Sequence, residues 1–62
     1  MNAQNSNHQI AMDLISQYGD DAESIAVLRA AEYAANLNTE EWLIWEGVIK
    51  EIQSINVNPN LQ

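Results

Sequence analysis

At 62 residues the chain has room for a single domain, and a domain of that size buries only about 60% of the surface its unfolded chain exposes. It has no cysteine and a single histidine, His8, which excludes disulfides, thiolate metal sites and a histidine-based metal cluster within one chain. Nine acids against two bases, Arg29 and Lys50, give a formal charge of −7, which argues against direct binding to nucleic acid or to anionic membranes and suits solubility or a basic protein partner.

Small scaffolds usually need a disulfide, a metal or a partner subunit to support a thin core. With the first two excluded, the chain is expected either to pack its helices unusually well or to oligomerise. No apolar run approaches the roughly 20 residues that span a bilayer. Residues Met1 to His8 are polar, with neither a basic stretch nor an apolar segment, so no secretory signal is expected and the cytoplasm is the default location.

The pattern predicts an all-α fold of three consecutive helices spanning a single domain over 1–62. The first helix is expected over about 7–18. Ser6 and Gln9 have the spacing of a capping box, and Ile10, Ala11, Leu14, Ile15 and Tyr18 share one helical face. Gly19 stands where a helix ends on a residue of positive φ.

Asp20 or Asp21 is expected to cap a second helix over about 22–36, and Asp20 with Glu23 has the capping-box spacing. This helix carries Ala22, Ala26, Ala30, Ala31, Ala34 and Ala35. Its polar arc of Arg29, Glu32 and Asn36 is narrow. A helix apolar around most of its girth contacts neighbours on more than one side, so it is expected to be the central element.

Asn36 to Thr39 breaks the pattern again. Asn38 as N-cap places Leu37 and Trp42 at the two positions of a hydrophobic staple, and Glu40 and Glu41 at the positive end of the helix dipole. The third helix is expected over about 39–55, with Trp42, Trp45, Val48, Ile49, Ile52 and Ile55 as its apolar stripe. Gly47 falls on the opposite, outer side, and Glu46 with Lys50 makes a favourable i,i+4 pair. A tail over 56–62 has no periodicity and is expected to be flexible; Asn58 precedes a proline, which disfavours helix. Short connections make sequential helices antiparallel neighbours, in a small bundle or a helical array.

No motif for chemistry emerges. Asp20, Asp21 and Glu23 lack the alternating spacing of a calcium loop, and capping accounts for all three, as it does for Glu40 and Glu41. Ser6, Ser16, Ser24 and Ser54 have no neighbouring base, and nothing resembles a nucleophile elbow. No enzyme activity, metal or cofactor is expected. Apolar positions outside the expected stripes are the sharper signal. Leu43 projects onto the polar side of its helix and Ile44 sits at the stripe's edge. Val27, Ala31 and Ala34 face away from Ile25, Arg29 and Glu32. Single exposed leucines are ordinary on any surface. Together with Trp42, however, these residues form a candidate partner contact.

Tyr18-Gly19-Asp20-Asp21-Ala22, the pair Arg29-Ala30, and Trp45 followed by Val48, Ile49 and Ile52 resemble a group of short bacterial all-helical proteins over roughly 10–55. The resemblance implies a helical fold and a bacterial or phage origin, and supplies no activity. The strong acidity departs from that group, whose members are richer in Arg and Ala.

The leading expectation is a non-catalytic interaction or regulatory module that associates with itself. The alternative is an acidic inhibitor that mimics nucleic acid on a basic protein, which would need its acids on one contiguous face.

Overall fold

The computed structural model describes residues 3–57, with side chains described over 7–55. Helix α1 (Ala3–Tyr18) leads through a 3-10 turn (Gly19–Asp21) into α2 (Ala22–Ala35), and α3 (Thr39–Val57) follows. No strand occurs among the described residues.

The expectation of three separate helices is corrected to two unbroken helical runs, Ala3 to Ala35 and Thr39 to Val57. Gly19 does adopt a positive φ of 58°, so the chain changes direction there. The turn then closes with the Ala22 N–H donating to the Gly19 carbonyl, and helical hydrogen bonding resumes at once. Neither expected capping box forms. Helix α1 starts at Ala3, which puts Ser6 inside the helix, and the Gln9 amide donates forward to Asp13 at 3.1 Å. Asp21, at the N-cap of α2, makes no side-chain cap bond, and the Glu23 carboxylate accepts from Gln53 Nε2 on α3 at 2.9 Å.

The break between α2 and α3 is a Schellman motif. The Leu37 N–H donates to the Ala34 carbonyl at 3.0 Å and the Asn38 N–H to the Tyr33 carbonyl at 2.8 Å. Leu37 occupies the left-handed position, φ 62°, that glycine usually takes. Its side chain is 87% exposed, so the expected staple with Trp42 is not made. Asn38 caps α3: its Oδ1 accepts weakly from the Glu41 N–H at 3.5 Å, and its carbonyl accepts from the Trp42 N–H at 3.0 Å. Helix α3 then runs on through Val57, past the expected start of the tail; residues 58–62 lie outside the described part.

Helices α2 and α3 are antiparallel, because Glu23 pairs with Gln53 while Tyr33 stacks on Trp45, with ring centroids 6.4 Å apart. The buried core among the described residues is Ala11 and Leu14 from α1, Ala22, Ala26 and Ala30 from α2, and Val48 and Ile52 from α3. Ile10, Ile15, Ile25, Trp45, Ile49 and Ile55 pack around most of it. The central element is therefore α3, not α2 as expected. Its Val48 and Ile52 are the large fully buried side chains, and both other helices lie against it. Helix α2 buries only its Ala22-Ala26-Ala30 stripe, because alanines allow close approach on one side and offer little bulk to hold a neighbour on the other.

Gly47 faces α1, which corrects its expected outer placement: a Cβ there would overlap the Asn7 amide. The radius of gyration, 11.7 Å, exceeds the about 10.6 Å expected for a compact chain of this length, in keeping with an open helical array.

Candidate interaction surface

Helix geometry places side chains at steps of about 100°. On α2 this puts Ser24, Val27, Leu28, Ala31, Ala34 and Ala35 on one arc of roughly 120°, opposite the buried alanine stripe. All six are exposed and none carries charge. Leu28 is 60% and Val27 47% exposed. Charge is confined to the flanks: Glu32 and Arg29 on one side, Glu23 on the other.

At the N-terminal end of this face lies an open hollow of about 460 Å³, lined by Asp20, Glu23, Ser24, Val27 and Leu28. Val27 and Leu28 bring apolar side chains to it, and Asp20 and Glu23 bring carboxylates. At the other end of α2 stands the exposed Leu37, held out by its left-handed backbone.

The residues singled out in the sequence divide between two helices. Val27, Ala31 and Ala34 come together on the α2 face. Leu43, 58% exposed, and Ile44 lie on α3, where consecutive positions point about 100° apart, so they extend the α3 surface in two directions. Trp42 is half-buried. Trp45 packs against the core, with the Arg29 guanidinium 5.8 Å from its ring centroid. Leu28 and Leu37 belong to the surface but were not singled out. The arc through Val27 and Ala31 contains Leu28, which the wheel alone could have supplied. Leu37 was assigned to a staple, and only the αL turn shows that it points away from one.

Among the described residues the polar side-chain contacts between helices are isolated pairs. His8 Nδ1 meets Glu51 Oε1 at 3.1 Å, an exposed pair across α1 and α3. Among the described residues no group of three or more His, Asp or Glu side chains could hold a metal ion. The clusters Asp20-Asp21-Glu23 and Glu40-Glu41 lie at opposite ends of the antiparallel α2–α3 pair. No described helix is long and apolar enough to cross a membrane.

No family model, curated protein or solved structure matches this chain.

Proposed function

We propose that this protein is a non-catalytic interaction module that associates with copies of itself. The observation that carries this reading is the outward face of α2, uncharged from Ser24 to Ala35 on a chain of formal charge −7. Acids occupy much of the remaining surface and repel a second copy; this face brings no like charge to a contact. The thin core adds a motive. Alanine supplies Ala11, Ala22, Ala26 and Ala30 of the buried set, so burial of Val27 and Leu28 against a partner adds stabilisation that the monomer lacks.

The nucleic-acid-mimicking alternative draws no support from the placement of the acids, since its two densest clusters stand at opposite ends of the α2–α3 pair. Sedimentation equilibrium over a wide concentration range tests the proposal. The expected result is an average mass that rises above the 7.0 kDa of one chain as concentration increases. A mass that stays at one chain throughout would sink it.

A further inference from the structure

We propose that two copies pair through α2 in antiparallel orientation, about a two-fold axis at Ala31, with Leu37 of each copy seated in the hollow of the other. This rests on the self-association reading and assigns its surface, register and anchor.

Two separate matches select the same register. Ala31 lies midway between Leu28 and Ala34, and midway between Val27 and Ala35. Antiparallel pairing about Ala31 therefore sets the bulky Val27 and Leu28 of one copy against the small Ala34 and Ala35 of the other. Large opposite small is the condition for close helix packing. In the same register Leu37 arrives at the first turns of the other α2, where Ser24, Val27 and Leu28 line the hollow together with Asp20 and Glu23. A two-fold contact is isologous, so each knob and each hollow is used twice.

Charge selects the antiparallel direction. A parallel pair would stack Asp20, Asp21 and Glu23 on their own copies. The antiparallel pair about Ala31 keeps the two clusters apart at its opposite ends, sets Ser24–Arg29 against the acid-free stretch Tyr33–Asn38, and opposes the two helix dipoles. Leu37 adds a point that a uniform apolar stripe would not have. It holds an unfavourable backbone conformation and exposes nearly its whole side chain, and no contact within the chain requires leucine there. A single helix face is a small interface, so the pair is expected to be weak and concentration-dependent.

Sedimentation equilibrium on the full chain and three variants tests the assignment. Ala31→Glu and Ala31→Lys each place a charge against its own copy at an exposed helical position that both residues tolerate. Each is expected to raise the dimer dissociation constant at least tenfold, with the helical circular dichroism unchanged, and mixing the two is expected to restore pairing. Leu37→Gly removes the knob and is expected to weaken pairing severalfold while leaving the fold intact. A wild-type chain that stays monomeric overturns the self-association reading together with this one. A wild-type dimer that is indifferent to all three variants leaves that reading standing and overturns the α2 seam. Charged variants that dissociate alone but do not pair when mixed overturn the register about Ala31.

Discussion

Leu37 adopts φ 62° and gains no packing in return. A non-glycine residue in the left-handed region costs about 1–2 kcal/mol, and glycine gives back about 0.5–1 kcal/mol through unfolded-chain entropy. Leu37→Gly is therefore expected to raise monomer stability by roughly 0.5–1 kcal/mol in urea denaturation at low concentration. Gly47 presents the opposite situation. Alanine in a helix interior is worth about 1 kcal/mol over glycine, but here its methyl would meet the Asn7 amide. Gly47→Ala alone is expected to fall short of that gain, and in an Asn7→Ala background to recover it, as a double-mutant cycle would show. Neither environment was legible in the sequence. The helical wheel puts Gly47 outside because it knows nothing of where α1 lies, and the break expected over Asn36–Thr39, which the structure narrows to 36–38, does not reveal which residue takes the left-handed position.

At the scale of the elements, the helices differ in what they bury. Helix α3 supplies bulk, and α2 supplies a smooth alanine track that lets it approach α3 closely. Overpacking a closed contact costs typically about 1–3 kcal/mol, whereas an exposed helix position tolerates most good helix formers. Ala26→Leu is expected to lower the denaturation midpoint by a cost in that range, and Ala35→Leu, outside the core, to leave monomer stability within about 0.5 kcal/mol. Equal losses would mean that the two sides of α2 are not distinct. Here the sequence was informative in part. The stripe Val48, Ile49, Ile52 and Ile55 and the face Ala11 and Leu14 were visible from periodicity, because helical spacing alone decides which residues share a side. The central position of α2 was misjudged, because an alanine-rich surface allows neighbours on several sides without requiring them.

For the whole molecule, net charge and apolar surface pull in opposite directions. A formal charge of −7 on each copy opposes association, and salt relieves that repulsion within a screening length of about 8–10 Å at 0.1–0.15 M. Self-association through an uncharged seam is therefore expected to strengthen as salt rises, read as a larger weight-average mass at fixed protein concentration. Binding to a basic partner through acids would weaken under the same change. The thermal midpoint is likewise expected to rise with protein concentration, because association stabilises the folded state by mass action.

The sequence by itself determined the helical class, the positive φ of Gly19, the break at Asn36–Asn38 and the apolar positions on each helix, all consequences of local backbone preference and of a period of 3.6 residues. Only the tertiary structure decided which helix is central, that α1 passes into α2 through a 3-10 turn with no non-helical residue between them, and that Leu28 and Leu37 join Val27, Ala31 and Ala34 as exposed apolar side chains. Those outcomes depend on which faces meet across long sequence separations. Periodicity identifies a face but not its neighbour, and α3 can cover only one side of α2.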